Sequence, residues 1–357
     1  QILTLNHLPQ NHPNNMKKDL KDLLDNLQEN SEETQQHERF MLIDGLNLFF
    51  RNFSAINAVN PDGVHVGGLG GFFRSLGALM RQIQPTQVYI AFDGIGSSTN
   101  RKNLLPEYKS QRNISRVTNW EVFENLEEED ESKVDQIVRI IQYLKTLPVK
   151  VITLNKVEAD DVIAHLCKIL PQHSKDRAFI VSSDKDYLQL IDQQIIVYRP
   201  IQKEFYTEDT VKEKFGVAPS NFLLYKTLMG DSSDKIAGIK GLGPKTLYKR
   251  FPELLEENLS LDDILDISEE KLEDHVIYAR VLHEAEELEK KYKVMDLANP
   301  MLNQYDEIFI KDFVDNTELN FYPDQFVEMY NKDQLGGLIR NVDFWVKDVF
   351  QDLLENK

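Results

Sequence analysis

Acidic side chains fall in five short motifs along this chain, and their spacing suits metal chemistry. Asp44 ends the apolar string FMLID, and Asp93 ends the apolar string QVYIAFD. The strings VEADD, SSDKD and MGDSSD supply seven more carboxylates: Glu158, Asp160, Asp161, Asp184, Asp186, Asp231 and Asp234. Each acid alone has an ordinary explanation, because Asp commonly follows a strand or caps a helix. Together they predict a crowded acidic site.

The segments around these acids alternate between apolar strands and helical spacing. Strands are predicted at 40–44, 87–93, 149–153, 177–184 and 194–198, and helices at 45–56, 72–84, 133–147 and 158–170. Such alternation predicts a parallel α/β sheet, in which ligands bind beyond the carboxyl ends of the strands. We therefore expect Asp44, Asp93 and Asp184 at one sheet edge. The run VGGLGG (66–71) is predicted to be a flexible entry to the next helix or a phosphate-admitting helix start.

Several carboxylates at one edge repel one another unless cations neutralise them. Mg²⁺ prefers such oxygen ligands, and two ions about 4 Å apart stabilise the attacking and leaving oxygens in phosphodiester hydrolysis. Zinc is not indicated, because the eight histidines form no H-E-x-x-H string and Cys167 is the single cysteine. The sequence therefore predicts metal-dependent phosphoryl chemistry.

A basic segment at 235–250, KIAGIKGLGPKTLYKR, carries five cations and no acid. Its core GIKGLGPKTL resembles a helix–hairpin–helix, in which glycines permit a tight turn and close approach of backbone N–H groups to phosphate. The candidate nucleic-acid contacts are Lys240, Gly241, Gly243, Lys245 and Thr246. The alternative is a plain turn between packed helices.

A second basic segment, 101–116, follows Asp93 and holds five cations against one acid. Lys109 and Arg112 at i, i+3 would share a helical face and clamp a phosphate, and Tyr108 is a candidate for stacking on a base. A solvated helix face is the alternative. The acidic run 121–135 is predicted to be a solvated arch or loop flank.

Composition sets the outer limits of the interpretation. The chain has 357 residues, a formal net charge of −18, 41% hydrophobic residues and 28% charged residues, which is an ordinary globular balance. A single cysteine excludes a disulfide framework and fits a cytoplasmic location. No signal peptide and no membrane span are expected. We expect a polar extension at 1–38, an α/β domain at 39–206 in which 97–132 is polar with little core pattern, and a helical region at 207–357.

Taken in order, the strings VEADD, SSDxDxxQL, MGDxxD and GIxGxGxKT resemble the flap endonuclease superfamily of 5′-nucleases. This superfamily includes the 5′-nuclease domain of bacterial DNA polymerase I, and the resemblance is closest to bacteriophage 5′→3′ exonucleases of the T-even ribonuclease H type. It covers roughly 40–250, with a fainter match beyond 290. It implies an α/β fold with a PIN-like, mostly parallel central sheet, a helix–hairpin–helix and a helical C-terminal region. It also implies that 39–206 is the catalytic domain, with a helical arch near 97–132.

The resemblance also assigns roles to particular residues. All nine acids named above would be metal ligands, with Asp231 and Asp234 serving a second ion. Lys109 and Arg112 would be the active-site cations at the base of the arch, Lys226 a second phosphate-contacting lysine, and Lys245 the hairpin lysine that holds duplex backbone. The implied cofactors are two Mg²⁺, with Mn²⁺ as a substitute, and K⁺ at carbonyls of the hairpin.

The implied activity is 5′→3′ exonuclease and flap endonuclease cleavage of duplex DNA or an RNA–DNA hybrid, in primer removal during replication. A monomer in the cytoplasm is expected (that of the host, if phage-encoded), with replication proteins such as a single-strand-binding protein as partners and no membrane. A sliding clamp is unsupported, because the end VKDVFQDLLENK lacks a clamp-binding string. The alternatives are a non-catalytic junction-binding protein and a PIN-type ribonuclease.

Overall fold

The computed structural model describes residues 37–110 and 117–355. A six-stranded sheet has the order β3-β2-β1-β4-β5-β6, and its neighbours pair in parallel except for β5 with β6, which are antiparallel. The strands are β1 Arg39–Asp44, β2 Gln87–Asp93, β3 Lys150–Leu154, β4 Arg177–Val181, β5 Ile195–Arg199 and β6 Glu204–Tyr206. The predicted parallel α/β sheet is therefore present, and the five predicted strands match within a few residues.

The apolar residues of the central strand β1 alternate between the two faces of the sheet. In β1, Phe40 and Leu42 enter one buried cluster, while Met41 and Ile43 enter a second. A strand buried on both faces reads as a continuous apolar run, which is why FMLID was recognisable as one. The order of the sheet reverses between β1 and β4, so the ligand crevice is expected there.

Helices cover both faces of the sheet and form most of the chain beyond it. They are α1 Gly45–Ala55, α2 Gly67–Ile83, α3 Thr99–Leu104, α4 Leu126–Leu144, α5 Ala159–Ile169, α6 Glu208–Phe215, α7 Phe222–Met229, α8 Pro244–Arg250, α9 Leu261–Glu270, α10 Val276–His283, α11 Ala285–Met295, α12 Gln304–Asn316, α13 Pro323–Lys332, α14 Val342–Phe350 and α15 Asp352–Glu355. Between α7 and α8 lies a short antiparallel hairpin of β7 Gly230–Asp231 and β8 Ile236–Ala237. None of the helices in the described ranges is long and apolar enough to cross a membrane.

The glycine run at 66–71 is helical, so the expectation of a flexible entry loop was wrong. The α2 helix begins at Gly67, and its glycines are buried against neighbouring elements. A Cβ on Gly68 would lie 2.6 Å from the Phe49 ring, and a Cβ on Gly70 would lie 2.3 Å from Leu338. These glycines therefore serve close packing, and their burial leaves no room for a phosphate.

Gly67→Ala is expected to lower the free energy of unfolding by about 1–3 kcal/mol, the usual cost of overpacking. An added Cβ would lie 1.7 Å from the backbone oxygen of Ile56, which cannot rotate away. Thermal denaturation would measure the loss. Gly337→Ala is the matched control, because a Cβ there meets nothing within 4 Å; equal melting temperatures for the two variants would contradict this account.

The acidic run at 121–135 is also more ordered than predicted, because α4 begins at Leu126 instead of residue 133. Asn125 caps the helix by accepting a hydrogen bond from the Glu128 amide, and acids in the first turn suit the positive end of the helix dipole. Glu129 is fully buried and accepts hydrogen bonds from the backbone amides of Thr118 and Asn119. The acids therefore help to start a helix, and one of them anchors the preceding turn.

Candidate metal centre and nucleic-acid interface

Three acids lie at the carboxyl ends of three adjacent strands. Asp44 is the last residue of β1, Asp93 is the last residue of β2, and Asp184 lies three residues beyond β4. Because β1 pairs with both β2 and β4, Asp44 lies between the other two. Ser182 links the group, since its hydroxyl donates to Asp44 Oδ2 at 3.3 Å and accepts from the Asp184 amide at 3.1 Å.

The crowding of these acids makes ionisation costly. Burial, together with the charges of Asp93 and Asp184, raises the pKa of Asp44 to about 7, even though the Asn47 amide donates to it. Desolvation also raises the pKa of Asp93 above its usual value. A bound cation would reverse both effects, because it favours the ionised carboxylates.

The start of α5 adds two more carboxylates to the same edge. Glu158 is the residue before the helix, Asp160 lies in its first turn, and the Ala159 amide donates to Asp93 Oδ1 at 2.7 Å. Glu158 Oε1 and Asp160 Oδ1 are buried and have no hydrogen-bond partner among the described residues. Oxygen atoms left in this state fit ligands of a hard divalent cation.

Arg101 is the site residue that sequence reasoning missed, since it was counted only as part of a basic segment. Its side chain is 3% exposed and lies among the acids at the start of α5. Its guanidinium donates to Glu158 at 2.9 Å, to both oxygens of Asp161 at 2.6 and 2.9 Å, and to the carbonyl of Val294 at 2.8 Å. Burial would raise the pKa of Glu158, but Arg101 and Lys109 outweigh it and hold that pKa below its usual value.

Asp161 differs from the expectation of a metal ligand. Both of its oxygens accept from Arg101, and Oδ1 also accepts from the Met301 amide at 2.8 Å. Its side chain is almost completely buried. The carboxylate is therefore satisfied by protein donors, and we leave it out of the ligand set proposed below.

Tyr108 and Lys109 need corrections of a different kind. Tyr108 is 2% exposed and its hydroxyl donates to Glu158 at 2.9 Å, so the prediction of a base-stacking ring was wrong for this structure. Lys109 lies in a turn with φ of +51° instead of on a helical face. Its ammonium donates to Glu158 at 2.9 Å, which keeps the cation at the acidic edge. Arg112 lies outside the described residues, as does most of the 1–38 extension.

A second acidic group forms where the β7–β8 hairpin approaches the sheet. Single oxygens of Asp186, Asp231 and Asp234 lie within 4.8 Å of one another. The buried Lys226 ammonium pairs with Asp186 and lies 2.5 Å from Asp231. Burial would raise the pKa of Asp231, but Lys226 outweighs it and lowers that pKa to about 2. Lys226 was expected to contact phosphate, whereas here it neutralises two acids.

The basic string at 235–250 runs from β8 through a turn into α8. Gly241 has a φ of +84°, and Gly243 is the residue before α8, with Pro244 at the first helical position as predicted. Lys240 and Lys245 are exposed. The Lys240 carbonyl accepts from the Arg280 guanidinium at 2.6 Å, so this oxygen already has a cationic partner. The segment presents a positive surface beside the second acidic group.

Comparison with known proteins finds a family model and relatives that match this chain. Residues 39–216 match the family model described as the 5′-3′ exonuclease N-terminal resolvase-like domain. A 5′-3′ exonuclease of Aquifex aeolicus is 29% identical over 303 residues, covering 85% of this chain and 94% of that protein. A 5′-3′ exonuclease of Bacillus subtilis is 32% identical over 240 residues, covering 63% of this chain and 75% of that protein.

Longer proteins and solved structures are also similar to this chain. DNA polymerase I of Lactococcus lactis is 33% identical over 258 residues, but the chain spans only 27% of that polymerase. The bacteriophage T5 5′-exonuclease with bound zinc has a TM-score of 0.58 at 22% identity, covering 88% of this chain and 99% of that one. A T5 flap endonuclease complex with DNA and metal ions has a TM-score of 0.57 at 21% identity. The mostly parallel α/β fold expected from the sequence is therefore confirmed.

Proposed function

Because the chain belongs to the 5′-3′ exonuclease family, we propose that it is a structure-specific 5′-nuclease that uses two Mg²⁺ ions. Its substrate would be duplex DNA, or an RNA–DNA hybrid, with a 5′ end or flap. The product at the cut would carry a 5′-phosphate. Mn²⁺ would substitute for Mg²⁺, because both accept carboxylate and water ligands.

The observation that carries this proposal is the presence of two acidic groups beside one sheet edge. The first contains the strand-end acids Asp44, Asp93 and Asp184 with Glu158 and Asp160 at the start of α5. The second contains Asp186, Asp231 and Asp234. The raised pKa of Asp44 indicates a group that gains from a nearby cation. Two bound ions would lower the pKa of a bound water and stabilise charge on the attacking and leaving oxygens.

The protein's own cations would act on the scissile phosphate. Lys109 is 19% exposed and hydrogen-bonds Glu158, so its ammonium is fixed next to the first acidic group. Burial would lower its pKa, but Asp160 and Glu158 raise it, which keeps the lysine charged. A fixed cation there would stabilise the negative charge that develops on phosphate oxygens. Arg112 is proposed to assist from the same segment.

Duplex binding would occur at the basic segment 235–250. Lys240, Lys245 and Lys249 are exposed there, and contacts to phosphate of this kind fix position without reading sequence. Gly241, Gly243 and Thr246 would bring backbone and hydroxyl donors close to the strand. K⁺ at hairpin carbonyls remains part of the proposal, with the Lys240 carbonyl left out because Arg280 occupies it.

Lys245→Gln is expected to weaken duplex binding about equally for all sequences and to reduce the salt slope of log Kd by about one, as for one lost phosphate contact. Fluorescence anisotropy across a salt series would measure both quantities in EDTA. Lys332→Gln is the control, since Lys332 is an exposed lysine of α13 outside the basic segment 235–250. An unchanged slope for Lys245→Gln would remove this lysine from the interface.

The biological setting follows from the same family. We propose that the protein removes primers during replication in the cytoplasm, acts as a monomer and meets replication proteins such as a single-strand-binding protein.

The deciding experiment is cleavage of a 5′-flap duplex labelled at either end, with Mg²⁺ and with EDTA. We expect cutting near the junction with Mg²⁺, and no cutting with EDTA or with Asp184→Asn. Binding without cutting would instead favour a non-catalytic junction-binding protein. A strong preference for single-stranded RNA would favour a PIN-type ribonuclease.

A further inference from the structure

A pocket of about 500 Å³ lies beside the acidic site, and most of its lining residues have no role in the mechanism above. It shares Asp184, Lys226 and Asp231 with that site and is also lined by Ser183, Lys185 and Arg199. Small-molecule sites have volumes of about 300–1,000 Å³, so the pocket is large enough for one nucleotide. We call it the Arg199 pocket.

Arg199, the last residue of β5, is the most unusual group in this pocket. Its side chain is 6% exposed, yet it forms no ion pair with a carboxylate of the described residues. Its guanidinium donates to the Ser183 carbonyl at 2.8 Å and to the Tyr206 hydroxyl at 3.4 Å. Its Nε is buried without a hydrogen-bond partner in the described part of the chain. A buried charge in this state is costly unless an anion approaches it.

Two further donors line the same space. Ser183 Oγ is buried and has no hydrogen-bond partner among residues 37–110 and 117–355. The Ser183 amide donates to Asn47 Oδ1 at 2.9 Å, which fixes the backbone beside that hydroxyl. Lys185 is exposed, and its ammonium lies 5.9 Å from the centre of the Phe215 ring. A cation, a guanidinium and a hydroxyl on one pocket suit a phosphate group.

Aromatic side chains also line the pocket. Phe215 and Phe222 pack edge to face with ring centres 5.1 Å apart, and Tyr225 stacks on Phe222 at 5.7 Å. Phe215 and Tyr225 are only partly buried, so both present ring surface to the pocket. Such surfaces take a sugar or base without regard to its identity.

We propose that the Arg199 pocket binds the nucleotide adjoining the scissile bond in the substrate strand, with its phosphate against Arg199, Lys185 and Ser183 and its nucleoside against Phe215 and Tyr225. This inference rests on the proposed nuclease function. The Arg199 pocket would be a subsite next to the acidic groups. Residues outside the metal centre would then bind the strand on one side of the cut.

The test uses Lys185→Gln, an exposed substitution, and Arg199→Lys, which keeps the charge but loses the planar fork. Kd for the 5′-flap duplex is measured in EDTA, and inhibition of cleavage by thymidine 5′-monophosphate is measured in Mg²⁺ with inorganic phosphate alongside. For Lys185→Gln we expect Kd and KM to rise about threefold to tenfold, as for one lost phosphate contact, and kcat to fall less. Circular dichroism and melting temperatures check folding, and Lys332→Gln is the control.

The outcomes distinguish a pocket that binds a phosphate of the substrate strand from one that binds the released product. A rise in Kd for DNA in both pocket variants supports the substrate-strand subsite. Weaker inhibition by the mononucleotide with unchanged Kd for DNA would overturn it in favour of a site for released product. No change in either quantity would overturn it entirely. Since Kd is read in EDTA, the Kd result stands apart from whether the wild-type protein cuts DNA, whereas the inhibition result requires that it does.

Discussion

Arg101→Met should lower the free energy of unfolding by about 3–5 kcal/mol, the usual cost of removing one partner from a buried ion cluster. Arg101 donates to Glu158 and Asp161 and lies 3.4 Å from Asp160. Without it, Lys109 would be the one cation of the described residues still paired with an acid near the start of α5. The variant should also cleave flap DNA more slowly by about a hundredfold or more, because the two ligand acids lose their fixed positions.

The position of Arg101 predicts a specific pattern across measurements. Mn²⁺ binding, followed by calorimetry or electron paramagnetic resonance, should weaken about tenfold to a hundredfold. Arg101→Lys should recover part of the stability and less of the metal affinity, since lysine cannot contact both Asp161 oxygens and Glu158 at once. Arg81→Met is the matched control, because it removes an exposed 3.0 Å pair with Asp348 and should cost at most about 1 kcal/mol. Wild-type stability and Mn²⁺ affinity in Arg101→Met would refute the positioning role.

The strands and their terminal acids could be predicted because their signals are local. A buried strand reads as an apolar run, and an acid directly after it must lie at the edge of the sheet. Asp44 and Asp93 were placed on this basis alone, and parallel pairing then brought Asp184 beside them. Order along the chain was thus enough to predict one shared edge.

Pairing between side chains could not be predicted in the same way, because it depends on neighbours distant in sequence. Arg101 and Asp161 are 60 residues apart, and Arg101 reaches the carbonyl of Val294 across 193 residues. Tyr108 looked suited to a base only because nothing in the sequence shows that its hydroxyl meets Glu158. Which acid accepts a metal and which accepts an arginine is decided by the tertiary packing.

The predictions for the glycine run 66–71 and the acidic run 121–135 differ from the structure for a related reason. Glycine disfavours an isolated helix by about 1 kcal/mol per residue relative to alanine, so VGGLGG favours a loop on propensity alone. Close packing against Phe49 and Leu338 overrides that preference. At α4, the side-chain cap of Asn125 and the favourable dipole override the repulsion among neighbouring acids.

Lys226→Met is expected to destabilise the metal-free protein by about 3–5 kcal/mol, because it leaves Asp186 and Asp231 without their shared buried cation. Mg²⁺ or Mn²⁺ should restore much of this loss, so the rise in melting temperature on adding metal should exceed the rise in the wild-type protein. Lys214→Met is the matched control, since it breaks an exposed 2.7 Å pair with Glu204 and should change stability little, with no metal dependence.

Acid titration gives the same pairing an independent readout. The pKa of Asp231 in the folded protein is about 2, below its usual value of 3.8, so its pairing with Lys226 stabilises the protein above about pH 4. That contribution is lost as the pH falls through about 2, and Lys226→Met should lack it, so its stability should fall less steeply over this range. Parallel pH profiles for the two proteins, together with equal metal-induced shifts in melting temperature, would show that Lys226 does not neutralise this acidic group. The expected divergence would mean that Lys226 balances these acids until divalent metal binds.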